Sequence, residues 1–277
     1  MINFTDFKKE IALQISRYVP VKIRKGISKG AIIYGSLFYN RRMDSFNDEE
    51  YLYKNLDLKD KIIIEAGAHV GIYTIFFAKQ IGKGRVIAFE PNPFSYYLLC
   101  KNVKSNSISN VVPVNAGLSN QNDILHFMSP RFNTEKGTFK ADKQVLIKEN
   151  KEKITEIDVP VTTIDNTIKK YSLNNVDFVK IDTEGYEPYV IEGMPDTLER
   201  LKPLVYFEIH GLNDSQKQED LKRIFEFMIG FDYVVVKLSR GLPEVTRDNI
   251  KNFSGGGYIA SHRITSSLES VLNYFKK

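Results

Sequence analysis

The chain has 277 residues, 42% of them apolar and 26% charged, with a formal net charge of +5. That is enough apolar matter for a packed core and too much for a disordered chain, and the length suits one large α/β domain or one domain with an accessory segment. The positive charge, read as spread along the sequence, admits anionic partners without favouring nucleic acid; a lone Cys100 excludes an internal disulfide and a cysteine zinc site, and no apolar run approaches the roughly 20 residues of a membrane span.

In chain order, Phe4, Phe7, Ile11, Ile15 and Tyr18 recur at helical spacing and predict an amphipathic helix over 4–19, ended by Pro20. Lys22, Arg24, Lys25 and Lys29 follow it. The helix is expected to pack on the main domain, with peripheral contact to a membrane surface as the alternative. No signal-peptide stretch opens the sequence, so the expected location is cytoplasmic. Ile62-Ile63-Ile64 reads as a strand buried on both faces, followed by a helix over 70–81. Val86 to Phe89 is a second such strand, and Asn92 and Pro93 are the N-cap and first residue of the next helix. Cys100 is expected in that helix as a small core residue. Val111 to Val114 is a third strand, given an edge position by Pro113.

Residues 117–160 then interrupt the alternation. Short strands at 124–128 and 155–161 predict an inserted hairpin, with a mobile loop near 129–153. Beyond it come a helix over 163–171, a strand at 177–181, a helix over 187–200 and a strand at 204–209. A helix over 217–229, strands at 233–237 and 258–260 and a helix over 266–275 complete the pattern. The organisation expected is an N-terminal helical segment, 1–58, and a main domain, 59–277, built on an open, mostly parallel sheet with helices on both faces.

In such a sheet, ligands bind beyond the C-terminal strand ends. The first strand ends Glu65-Ala66-Gly67-Ala68-His69-Val70-Gly71. Gly67 lets backbone approach a ligand and Gly71 lets the helix pack closely. This spacing lacks the third glycine of a dinucleotide fingerprint, and His69 stands where a pyrophosphate site wants glycine. Glu90, at the end of the second strand, can accept hydrogen bonds from both ribose hydroxyls of an adenosine. That role is shared by nicotinamide cofactors, so a nicotinamide-dependent oxidoreductase is the rival reading.

Asp182, Glu184, Glu208 and His210 fall at or just past the next strand ends. Strand pleating puts Lys180 and Asp182 on one side, and Glu208 and His210 on one side. His210 is the expected general base because its ordinary pKa lies near neutrality, with Asp182 orienting the cofactor or the imidazole. Glu184 either lines the site or caps the helix near Glu187. Asp182, Glu208 and His210 could also hold a divalent metal, which is not the favoured reading.

Taken in order, Glu65-Ala-Gly-Ala-His-Val-Gly-Ile-Tyr-Thr, Ala88-Phe-Glu-Pro-Asn-Pro, Thr163-Ile-Asp, Lys180-Ile-Asp-Thr-Glu-Gly-Tyr-Glu and Phe207-Glu-Ile-His resemble the FkbM family of methyltransferases over residues 60–211. The resemblance implies a Rossmann-like class I methyltransferase fold, with a seven-stranded sheet whose last strand runs antiparallel. It implies S-adenosyl-L-methionine as cofactor and a hydroxyl of a sugar, glycan or natural product as acceptor. It puts Glu65, Gly67, His69 and Gly71 around the methionine end, Glu90 on the ribose and Asn115 near the adenine, while Asp182 by its position could hold the methionine amino group or serve as base. His69 departs from the asparagine more usual in the family. Asn133-Thr-Glu-Lys-Gly-Thr138 resembles an active-site loop, which makes Asn133, with Glu184, a candidate acceptor contact. A non-catalytic cofactor-binding module is the remaining alternative, and the joint presence of Asp182 and His210 argues against it.

Overall fold

Strands built from unbroken Val and Ile have no face to give to water, so they belong in a sheet covered on both sides. The computed structural model describes residues 11, 14–35, 48–131, 134–139, 153–211, 213–241, 243–262, 269, 272 and 275. After a helical turn at 14–16, a two-stranded ribbon of β1 (Val21–Lys22) and β2 (Ile32–Ile33) leads to helix α1 (Asp48–Asn55). Then come β3 (Ile62–Ala66), α2 (Ile72–Gln80), β4 (Arg85–Phe89), α3 (Pro93–Ser105) and β5 (Val111–Val114). The insertion holds β6 (Gly117–Leu118), β7 (Asp123–Pro130) and β8 (Ile154–Thr162). The chain continues with α4 (Ile164–Lys170), β9 (Phe178–Ile181), α5 (Glu187–Glu192), α6 (Pro195–Arg200), β10 (Leu204–Ile209), α7 (Asp214–Ile229), β11 (Val234–Lys237) and β12 (Gly256–Ser261).

The central sheet has seven strands in the order β11-β12-β10-β9-β3-β4-β5. β12 runs antiparallel to both neighbours, and the pairs from β10 to β5 are parallel. This is the arrangement that the family resemblance implies. Pro113 lies on the edge strand β5, as its missing N–H requires. The expected insertion is a separate three-stranded sheet, order β6-β8-β7, with β7 and β8 forming the hairpin. Asn92 caps α3, accepting from the Phe94 and Ser95 N–H groups, with Pro93 next to it.

Three expectations need correction. The helix expected over 187–200 is two helices, because Pro195 cannot continue the first and starts the second. At the break, a Cβ on Gly193 would stand 2.0 Å from the Ser119 carbonyl oxygen, so the insertion packs directly on this backbone. α7 begins before residue 217 because the Asn213 side chain caps it, accepting from Gln216 N–H. Cys100 is half-buried rather than a core residue.

Two apolar cores flank the sheet. Ile23, Ile33, Leu52 and Tyr53 from the N-terminal segment share one of them with α2, α3, Leu272 and Phe275. The other lies under α4 to α7. Asn102 of α3 holds the ribbon end: its Oδ1 accepts from Tyr34 N–H at 2.7 Å and its Nδ2 donates to the carbonyls of Tyr34 and Val70. The described part of the N-terminal helix does not pack as expected. Ile11, Ile15 and Tyr18 are exposed while Ser16 is buried.

Candidate active site

A cavity of about 440 Å³ opens beyond the ends of β3, β4, β9 and β10, within the about 300–1,000 Å³ that suits small ligands and cofactors. Gly67, His69 and Glu90 line one half, and Asp182, Glu184, Glu208 and His210 line the other. Thr134, Lys136, Gly137 and Phe139 close it from the insertion. Asn133 lies outside the described residues.

In the first half, Gly67 has a φ of 81°, and a Cβ there would stand 1.9 Å from the Asp182 carbonyl oxygen. The close neighbour of Gly67 is thus the end of β9, not only a ligand. His69, also in the left-handed region, donates its N–H to Glu90 Oε2 at 2.7 Å, and its Nε2 meets Thr134 Oγ1 at 2.9 Å. Glu90 Oε1 accepts from Asn92 N–H at 2.9 Å. Burial pushes the Glu90 carboxyl up to about 7, against the pull of those two donors. Each oxygen keeps a lone pair for a ribose hydroxyl.

Three residues expected here act from behind the wall. Glu65 is buried and accepts from Thr74 Oγ1 at 2.6 Å, with burial raising its carboxyl to about 7. Gly71 admits Leu99, whose Cδ1 would lie 2.5 Å from an added Cβ, so it packs α2 against α3. Asn115 donates to the carbonyls of Glu90 and Pro91 at 2.9 and 3.1 Å. The apolar wall of the cavity on this side is made by Ala116, Leu118, Phe127 and Phe139.

Beneath the cavity the sheet carries a polar row. Parallel register sets Glu65 beside Lys180 and Lys180 beside Tyr206. Lys180 is 1% exposed, with Nζ 3.1 Å from Asp182 Oδ2 and 4.0 Å from Glu49 Oε1. Burial alone would lower this lysine's pKa, but Asp182, Glu49 and Glu65 outweigh it and hold the pKa above its ordinary value. Glu49 accepts from the hydroxyls of Tyr53 at 2.9 Å and Tyr73 at 2.7 Å, and burial keeps its carboxyl raised despite Lys180. Tyr73 lines the cavity. Sequence reasoning missed Glu49: in Asp48-Glu49-Glu50 it reads as one more acid at a helix N-terminus.

In the second half, four carboxylates surround one imidazole. His210 Nδ1 lies 3.5 Å from Glu187 Oε1 and 3.9 Å from Asp182 Oδ1. Its Nε2 lies 3.7 Å from Glu208 Oε1 and 3.9 Å from Glu184 Oε1. Burial works to lower the His210 pKa, but Glu187, Asp182 and Glu184 together raise it to about 10. These neighbours favour the imidazolium form of His210, where its ordinary pKa alone would leave it largely neutral at working pH. Burial works to raise the Asp182 carboxyl, but Lys180 and His210 hold it below the usual range. Burial raises both Glu184 and Glu208 to about 7.

Glu184 does not cap the following helix. Glu187 folds back instead, its Oε1 accepting from Thr183 N–H at 3.0 Å, Gly185 N–H at 3.1 Å and Thr183 Oγ1 at 3.2 Å. This closed turn holds Glu184, at a φ of 52°, facing His210. Ligand atoms of Asp182, Glu208 and His210 lie within 4.8 Å of one another, a spacing that suits a metal ion. A protonated imidazole has no lone pair to offer, so His210 must lose its proton before it could ligate.

Residues 65–235 match the family model described as the methyltransferase FkbM domain. The methyltransferase sdnD of Sordaria araneosa is 26% identical over 175 residues, covering 54% of this chain and 66% of the relative. The hexuronic acid methyltransferase AglP of Haloferax volcanii is 27% identical over 155 residues, covering 55% of this chain and 57% of the relative. The chain thus spans less than two thirds of the length of these relatives. Among solved structures, an O-methyltransferase from Bacillus cereus in complex with S-adenosylhomocysteine is 12% identical, with a TM-score of 0.45 and coverage of 93% of this chain and 91% of that one.

Proposed function

Since the chain belongs to the FkbM methyltransferase family and takes S-adenosylmethionine as its methyl donor, we propose that it methylates a hydroxyl oxygen of a sugar, glycan or natural product. Family membership removes the nicotinamide-dependent reading. The observation that carries the proposal is one continuous cavity that joins the Gly67–His69–Glu90 wall to the carboxylate–imidazole cluster around His210. The sulfonium methyl of the bound donor supplies the electrophile. Glu90 takes the ribose hydroxyls, the wall of Leu118, Phe127 and Phe139 takes the adenine, and Lys180 keeps Asp182 ionised at the methionine end.

The chain must then receive the proton of the acceptor hydroxyl. His210 and Asp182 remain the proposed catalytic pair, but the proton goes to the Glu208 carboxylate beside the His210 imidazolium rather than to a lone neutral imidazole. A Glu208 carboxyl near 7 is half ionised at neutral pH, the range in which a general base works best. Glu184, beside it, and Asn133, next in sequence to the cavity-lining Thr134, are the proposed acceptor contacts. The name of the Haloferax relative supports a saccharide acceptor.

The test incubates the protein with methyl-labelled S-adenosylmethionine and a panel of sugars, glycans and polyhydroxylated natural products. The expected product carries the label in an alkali-stable methyl ether, located by mass spectrometry and NMR. Label found in an alkali-labile ester, or on nitrogen or carbon, would overturn the hydroxyl acceptor.

A further inference from the structure

Between residues 11 and 35 the chain carries Arg17, Lys22, Arg24, Lys25 and Lys29 and no Asp or Glu. These five cations equal the net charge of the whole chain, so all the other residues together are neutral. The positive excess is therefore not spread along the sequence, as composition suggested, but belongs to this segment. The same segment holds five of the seven large hydrophobic side chains exposed among the described residues: Ile11, Ile15, Tyr18, Val19 and Ile32.

Their placement is orderly. Ile11, Ile15 and Tyr18, spaced by four and three residues, share one helix face, and they are 43, 44 and 72% exposed. Ser16 is 2% exposed, and the Arg17 guanidinium lies 4.3 Å from the centroid of the Phe94 ring. Among the described residues of this helix, Ser16 and Arg17 meet the protein while the apolar stripe of Ile11, Ile15 and Tyr18 turns outward. In the ribbon, Lys22 pairs with Ile32, so their side chains stand on one face, and both are exposed. Apolar and cationic side chains are interleaved on one surface.

We propose that residues 11–32 dock on an anionic phospholipid membrane. The stripe of Ile11, Ile15 and Tyr18 enters the boundary between headgroups and acyl chains, and Lys22, Arg24 and Lys29 face the lipid phosphates. Charge argues against a second copy of the chain as the occupant, since two such segments repel each other. A nucleic acid would satisfy the cations and leave the apolar stripe in water. No described helix is long and apolar enough to cross a membrane, so the contact is peripheral. The inference stands apart from the nature of the acceptor.

The test is co-sedimentation of the full chain with vesicles of phosphatidylcholine alone and of phosphatidylcholine with phosphatidylserine, at low and high salt. Binding is expected to the anionic vesicles only, and to weaken with salt. The double variant I11S/I15S should lose roughly tenfold in partition. The triple variant K22Q/R24Q/K29Q should lose on the order of 100-fold, from the worth of each cation near a charged surface. These positions are exposed, so circular dichroism should show both variants folded. No binding to anionic vesicles at low salt overturns the proposal, as does equal binding to neutral ones. Wild-type partition in either variant overturns it too. So does a lipid-free dimer, seen by light scattering, that I11S/I15S dissociates, since the stripe would then be an interface between copies.

Discussion

Replacing Glu187 by glutamine should weaken the hold of His210 on its proton. Glu187 is fully buried, its Oε1 is 3.5 Å from His210 Nδ1, and its Oε2 has no hydrogen-bond partner. Charges at that separation attract by about 4–5 kcal/mol at an effective dielectric constant near 20, and a close opposite charge shifts a titration by roughly one to three pH units. With Asp182 and Glu184 still present, the midpoint of His210 should fall from about 10 to roughly 7–9. The assay is an NMR titration of the imidazole carbon protons of the four histidines, with His210 assigned by its deletion. The amide oxygen of the substituted side chain can still accept from Thr183 and Gly185, so the variant should fold, losing about 1–3 kcal/mol in urea as a charged acceptor becomes neutral. The pH dependence has a defined sign. A histidine whose folded pKa is raised contributes stability that is whole below about 6.5 and lost as pH rises towards about 10. The variant's deficit should therefore be largest below its own midpoint of roughly 7–9 and shrink from there towards pH 10. A midpoint that stays near 10 in the variant would show that Glu187 does not hold the proton. A wild-type midpoint near 6.5 would refute the cluster altogether.

Three further outcomes follow from the same geometry. Glu65 and Glu90 have folded pKa values raised to about 7, so they favour the fold most at acid pH; the thermal midpoint of the ligand-free protein should fall between pH 5 and 8, and a rise over that range would contradict their burial. Gly67→Ala combines a φ of 81° with a Cβ 1.9 Å from the Asp182 carbonyl, and should cost roughly 2–4 kcal/mol in urea unfolding as well as donor binding; unchanged stability would mean that β9 does not press on this turn. Glu49→Gln keeps an acceptor for Tyr53 and Tyr73 but removes a charge beside Lys180, and calorimetry should show S-adenosylhomocysteine binding weakened by about 1–2 kcal/mol; full affinity would confine Glu49 to packing.

The sheet was legible because its strands announce themselves. Ile62-Ile63-Ile64 and Val86 to Phe89 have no polar alternation, and Pro113 could only sit at an edge. The break at Gly193-Met194-Pro195 was missed because a proline at the start of one helix and a proline inside a longer one differ only in what the chain packs against, here the insertion. The ribbon and α1 were missed because both are short, and the ribbon, besides its own pairing, is held by side chains far along the chain, Asn102 and Asn106.

The site divides along the same line. Gly67, His69, Glu90, Asp182, Glu184, Glu208 and His210 line one cavity, because position beyond a parallel strand follows from chain order and pleat alone. Lys180, Asp182, Tyr206, Glu208 and His210 alternate along β9, β10 and their ends, so one register brings them to one side of the sheet. What alternation does not give is charge state. One buried lysine answers three acids, one of them from α1, and one imidazole answers four carboxylates, two of them from the turn that Glu187 closes. The ordinary pKa assigns the Lys180 proton correctly but not that of His210, since neighbours outweigh intrinsic chemistry where this many acids meet. The general base is a property of the cluster, and it is read from the distances around His210 rather than from His210 itself.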